Sequence, residues 1–159
     1  MTTVNEVATV AELTAQVRHL AARADLQDLV FRYATACDHS DVATLQGIFA
    51  PDARAKYGKD EPLVGAEDIV TWLAAATRPT VWGHHFINPY AVDVRGDRAD
   101  VLAYLLSHQV FEADLDAVTM MTSRYQLQCV RTASGWQITQ LDLTVGWFEV
   151  RTADQALLP

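Results

Sequence analysis

VWGHHFINPYAVDVRGDRADVLAYLLSHQVFE, residues 81–112, is the stretch on which the fold turns. Two long runs rich in Val, Ile, Tyr, Phe and Trp, Val81 to Val94 and Ala99 to Glu112, flank Arg95-Gly96-Asp97, a hairpin-type connection. The same pattern follows downstream: Val118 to Arg131 and Trp136 to Val150 are joined by Ala133-Ser134-Gly135. Neighbouring strands are therefore expected to pair antiparallel.

The chain before residue 80 has a different periodicity. Leu13, Val17, Leu20, Leu26, Leu29, Val30, Tyr33 and Cys37 recur at three and four residues, which predicts a long amphipathic helix beginning near Glu12 and ending around Asp38 to Ser40. The run Asp38-His39-Ser40-Asp41 offers Ser40 or Asp41 as N-cap of a short second helix carrying Val42, Leu45, Ile48 and Phe49, with Pro51-Asp52 as its stop. A short strand at Ala53 to Tyr57, a loop at Lys59 to Pro62 and a third helix from Gly65 to Pro79, acidic in its first turn, complete the reading. Helices first and sheet second predict an α+β domain in which helices cover one face of a curved antiparallel sheet. The expected division is an N-terminal tail at 1–11, one domain at 12–151 and a C-terminal tail at 152–159.

The chain has 159 residues, half of them hydrophobic, and a formal charge of -8. That suits one domain with a substantial core and leaves no basic face for phosphates, so neither nucleic acid nor an anionic membrane is an expected partner. Cys37 and Cys129 have neither a disulfide-scaffold count nor a zinc spacing and are read as reduced thiols of a cytoplasmic protein. No apolar run approaches the roughly 20 residues that span a bilayer.

Several residues stand out as chemistry. His84 and His85 are adjacent on a strand, so simple alternation sends at most one into a cavity. Counting back from Val92 and Val94 favours His84, whereas a bulge near Asn88-Pro89 favours His85. The plainer alternative is a hydrogen-bonded core or interface histidine. Asp38 interrupts the apolar stripe that holds Tyr33 and Cys37, at a helix end whose dipole is negative; its alternative role is to start the next helix. Tyr57 adds a phenol. His108 is read as an interface residue, His19 and His39 as surface residues, and Arg124 and Gln126 as a solvated or partner-facing edge. Trp82, Trp136, Trp147 and Phe148 are read as packing surface, with Trp147 and Phe148 able to stack a flat polycyclic ligand should they project inward.

The run Asp28-Leu29-Val30-Phe31-Arg32-Tyr33, with Asp38-His39-Ser40-Asp41, Phe49-Ala50-Pro51-Asp52-Ala53, His84-His85-Phe86-Ile87-Asn88 and Val94 to Ala99, resembles the SnoaL-like branch of the NTF2-like superfamily, nearest to scytalone dehydratase and the bile-acid 7α-dehydratases. The resemblance runs from about Leu13 to Val150. It implies a cone: a strongly curved, mainly antiparallel sheet around a deep pocket closed by the N-terminal helices. It also implies His85 as general base, Asp38 as its orienting partner, and Tyr33 and Tyr57 as donors to a substrate carbonyl, with His84 kept as the competing histidine. Trp147, Phe148, Cys37, Phe86, Asn88 and Tyr125 are the candidate substrate-binding residues.

Departures from the pattern argue against the named substrates. Cys37 stands where scytalone dehydratase has a tyrosine, no second histidine occurs in Met121 to Tyr125, and Val145 stands where the bile-acid enzymes carry an arginine. The expectation is a cofactor-independent and metal-independent dehydratase or isomerase of a small hydrophobic cyclic ketone or enone, polyketide- or steroid-like. The alternatives are a polyketide cyclase or hydrolase using the same pocket, and a non-catalytic binding or assembly module. A sheet face bearing Trp and Phe predicts a homodimer.

Overall fold

The computed structural model describes residues 9–152. Helix α1, Val10–Asp38, opens on a capping box: Thr9 Oγ1 accepts from the Glu12 backbone N–H at 3.3 Å, and Glu12 Oε2 accepts from the Thr9 N–H at 2.6 Å. This Thr-x-x-Glu signal starts the helix ahead of Glu12, so Val10 and Ala11 belong to it rather than to the expected tail. The remainder of that tail, 1–8, and 153–159 of the C-terminal one lie outside the described residues.

Only part of the apolar stripe on α1 is covered. Leu13, Val17 and Leu20 are exposed, and burial begins at Ala22, continuing through Leu26, Leu29, Val30, Tyr33 and Cys37. The first turns thus run past the sheet before the helix reaches it. Leu26 and Leu29, fully buried, contribute about 1.5–3 kcal/mol each by removing apolar surface from water.

Helix α2, Val42–Ile48, is capped by Asp41, whose Oδ1 accepts from the Thr44 N–H at 3.0 Å. It stops at Ile48, not at Pro51. Phe49 already opens strand β1, Phe49–Tyr57, and Pro51 sits where the β1 ladder is interrupted between Phe49 and Arg54, a place where the missing N–H of proline leaves no hydrogen bond unmade. A two-residue strand β2, Leu63–Val64, pairs with β1 and was not anticipated by the composition of that loop. Helix α3 spans Ala66–Thr77.

Strands β3 (Thr80–Arg95), β4 (Arg98–Phe111), β5 (Asp114–Thr132) and β6 (Gly135–Thr152) pair antiparallel in succession, and β1 joins β6 in parallel. The sheet is open and six-stranded, in the order β2-β1-β6-β5-β4-β3. Among its helix contacts β3 is the main partner of α1, and α3 lies against β1. The core fills the face beneath the helices with Phe49, Ala53, Ala55, Val101, Ala103, Leu105, Leu127, Ile138 and Leu141. Among the described residues no helix is long and apolar enough to cross a membrane.

Bulges bend the long strands. One lies between Pro89 and Ala91 of β3, leaving Tyr90 without a partner on β4. Another lies at Gly146 of β6, where Thr122 opposes Trp147 and Ser123 opposes Val145. A Cβ at Gly146 would meet Thr122 Oγ1 at 3.1 Å and Thr122 O at 3.3 Å, so the close approach of the two strands there requires glycine.

Candidate active site

The bulge at Tyr90 resolves the two histidines. Val94 and Val92 face the helices; past Tyr90 the series resumes on Pro89, Ile87 and His85. One extra residue has exchanged the faces of everything N-terminal to it. His85 therefore faces inward. His84, with Phe86 and Asn88, is turned to the outer face, and Phe86 is 71% exposed. The expectation that counted back from Val92 to His84 is corrected, as is the assignment of Phe86 and Asn88 to a ligand cavity.

Asp38, the last residue of α1, meets His85 directly. Its Oδ1 lies 2.6 Å from His85 Nδ1, and its Oδ2 accepts from the His85 backbone N–H at 3.1 Å. The side chains are 12% and 18% exposed for His85 and Asp38 respectively. Because β3 is an edge strand, backbone donors on its free side lack a ladder partner, and Asp38 takes one of them. Two donors also offset the unfavourable helix-end dipole at Asp38. With Asp41 capping α2, the alternative role of Asp38 as the start of that helix falls away. An ionised Asp38 fixes the Nδ1–H tautomer and leaves His85 Nε2 as the free acceptor.

Behind this dyad lies a tyrosine cluster. Tyr33 Oη and Tyr57 Oη are 3.3 Å apart, Tyr33 packs edge-on against Tyr125 with ring centroids at 5.9 Å, and Tyr57 stacks on Trp72 at 4.4 Å. Burial holds the phenols of Tyr33, Tyr57 and Tyr125 above their ordinary range, with neighbouring phenols and the Cys37 thiol adding to the shift, and pushes the Cys37 thiol up to about 12. All four groups are thus protonated donors at neutral pH rather than nucleophiles. The Asp38 charge contributes to the shifts at Cys37 and Tyr125, which links the cluster electrostatically to the dyad.

The other candidates divide by face. Phe148 falls on the inner row, opposite Met121, which opposes Ser107, which opposes His85; it is 69% exposed at the uncovered end of β6. Trp147, across the bulge, pairs with Thr122 on the outer face, so its assignment to the cavity is corrected. Cys37 and Tyr125 are buried beside Tyr33.

Two inner-face residues escaped the sequence reading. Ser107 and Ser123 are buried, and neither hydroxyl has a hydrogen-bond partner. Their signal was present: Val101, Ala103 and Leu105 alternate inward on β4, and Ser107 continues that series where an apolar residue would be expected. Both hydroxyls are free to meet a polar group of a ligand.

A groove of about 780 Å³ lies elsewhere, against the side of α1 that carries Asp25, Asp28, Phe31 and Arg32, and reaches His39 and Trp136. It contains none of the dyad or tyrosine residues, and its histidine is held by the Thr35 carbonyl at 2.8 Å. The acid–base geometry, not the size of the depression, identifies the site. Among the described residues no three His, Cys, Asp or Glu side chains gather as metal ligands.

Residues 18–142 match the family model described as a SnoaL-like domain. The Mycobacterium tuberculosis protein Rv2910c is 28% identical over 123 residues, covering 77% of this chain and 84% of its own. The hexachlorocyclohexane dehydrochlorinase LinA-type3 of Novosphingobium barchaimii is a structural neighbour with a TM-score of 0.79 at 16% identity, covering 91% of this chain and 99% of its own. A scytalone dehydratase-like protein of Novosphingobium aromaticivorans has a TM-score of 0.76, also at 16% identity, over 89% of this chain and 97% of its own. At that identity the likeness is one of fold.

Proposed function

The chain belongs to the SnoaL-like domain family, and from that premise we propose that it is a cofactor-independent lyase or isomerase whose base is His85, acting on a small hydrophobic cyclic ketone or enone. The observation that carries this reading is the two-point clasp of Asp38 on His85, which leaves one imidazole nitrogen free, oriented and backed by a carboxylate. Two neighbours of the same fold are named for eliminations, loss of water and of hydrogen chloride, which favours elimination over ring closure.

The proposed dehydration follows from these groups. His85 Nε2 removes a proton alpha to the carbonyl, and the C–H electron pair passes into an enolate. The Tyr33–Tyr57 pair donates to the enolate oxygen from a site where desolvation strengthens hydrogen bonds. The enolate then expels the β-hydroxyl as the His85 imidazolium returns its proton to it, so that water leaves and the enone remains. Isomerisation differs only in delivering that proton to carbon. Asp38 stabilises the transient imidazolium throughout, and Ser107 and Ser123 hold a second oxygen of the substrate. The proposed active form is a homodimer formed through the outer sheet face, where Trp82, Phe86, Tyr90, Tyr104 and Trp147 are exposed.

The deciding experiment is a thermal-shift screen of polycyclic ketones, enones, quinones and steroids, with mass analysis of every mixture that shifts. Ligand at 100 times its Kd adds about 2.7 kcal/mol of stability. A shift with loss of one water supports the dehydratase, and a new product of unchanged mass supports the isomerase. A shift with unaltered ligand overturns catalysis in favour of a binding module.

A further inference from the structure

The histidine that the bulge turns outward is not isolated. His84 Nε2 lies 3.3 Å from His108 Nδ1 on the neighbouring strand, the rings are 5.0 Å apart between centroids, and Trp82 packs edge-on to His84 at 5.3 Å. Both side chains belong to directly opposed residues of β3 and β4, so backbone pairing, not side-chain flexibility, sets their separation. Both residues are half-buried. From this geometry we infer that His84 and His108 form a zinc-class transition-metal site on the outer face of the sheet, separate from the Asp38–His85 dyad.

The distance carries the inference. Two imidazole nitrogens bound to zinc at about 2.0–2.1 Å and subtending a tetrahedral angle stand about 3.3 Å apart. A square-planar cis pair at about 2.0 Å would need only about 2.8 Å, so the span selects a tetrahedral ion. The two facing nitrogens already point at a common point, and binding requires both rings in the neutral tautomers that present those lone pairs, with His84 Nδ1 and His108 Nε2 carrying the protons. The next residue along the row is Met120, opposite His108, which adds a soft thioether beside the site. Water completes the coordination, and the net charge of -8 favours accumulation of a cation.

The test is a titration of the full chain with zinc chloride, followed by calorimetry, and with cobalt(II), whose visible absorption reports tetrahedral nitrogen ligation. The wild type is expected to bind one zinc and to develop the cobalt bands. His84→Gln and His108→Gln are each expected to weaken zinc binding by about tenfold or more and to abolish the bands. His85→Gln is expected to retain both. Zinc affinity unchanged in both outer-face variants, or wild-type chain without cobalt absorption, overturns the site. A shared fall in all three variants assigns the metal to general surface histidines and overturns it equally. Because the readout is metal ligation rather than turnover, its failure leaves the proposed acid–base role of His85 untouched.

Discussion

His84 and His85 are chemically identical neighbours with opposite expected fates. His85 shares both carboxylate oxygens of Asp38, whereas His84 stands across the sheet from it. Replacing His85 with Gln is expected to lower kcat by about 10²- to 10⁴-fold, the range of a positioned general base, while His84→Gln keeps turnover near wild type. The comparison is made on a substrate found by the ligand screen, with circular dichroism to show that both variants fold; equal loss in the two would discard the assignment. Ser107 gives a second residue-scale prediction. Its hydroxyl is buried without a partner, a situation that costs about 1–3 kcal/mol. Ser107→Ala is therefore expected to raise the urea midpoint or leave it unchanged, and to weaken ligand binding. A variant less stable than wild type would mean that the hydroxyl is satisfied within the fold.

At the scale of elements, single inserted residues set the faces of whole strands. Tyr90 in β3 exchanges the direction of every side chain before it, and Gly146 in β6 separates Val145 and Phe148 on the inner face from Trp147 on the outer. Gly146→Ala forces a Cβ to within 3.1–3.3 Å of Thr122 Oγ1 and O, a contact that either opens the bulge or displaces β5. The expected cost is about 1–3 kcal/mol, the range for overpacking. Urea denaturation measures it, and a neutral effect would show that the strands part easily. The same bulge positions Phe148, so ligand binding is expected to weaken in parallel. The end of α1 follows a similar logic: Asp38 points at β3 because Asp41 has already capped α2.

For the whole molecule, the buried donors predict an alkaline limit. Cys37 and Cys129 are pushed from an ordinary 9.0 up to about 12 by burial, and burial likewise raises Tyr33 and Tyr57. In each case the folded chain retains a proton that the unfolded chain releases. The stability tied to these groups is complete below about pH 9 and is lost as pH rises from there through the folded values, at up to about 1.4 kcal/mol per pH unit per group. Urea midpoints are expected to hold between pH 7 and 8.5 and to fall steadily above 9 in reducing buffer; a flat profile to pH 11 would contradict the burial of these groups. The outer face makes a different prediction. If Trp82, Phe86, Tyr104 and Trp147 meet a second copy, Phe86→Glu yields a monomer by light scattering with the Asp38–His85 geometry intact. A wild-type chain that is monomeric at high micromolar concentration refutes the dimer.

Local periodicity determined the classes of the long elements. The three- and four-residue spacing over α1, the turn signals at Gly96 and Gly135 and the β-branched runs specify a helix and two hairpins without reference to the rest of the chain, because each depends on interactions between near neighbours. The Asp, His and Tyr residues of the site were likewise legible as a family pattern. Their direction was not. Which histidine faces Asp38 depends on one unpaired residue in a ladder, and the parity of a strand is a property of its pairing with another strand rather than of its own sequence. The same holds for Trp147 against Phe148 and for the exposed Leu13, Val17 and Leu20: an apolar stripe states that a face exists, and only the packed tertiary structure supplies, or withholds, the surface that covers it.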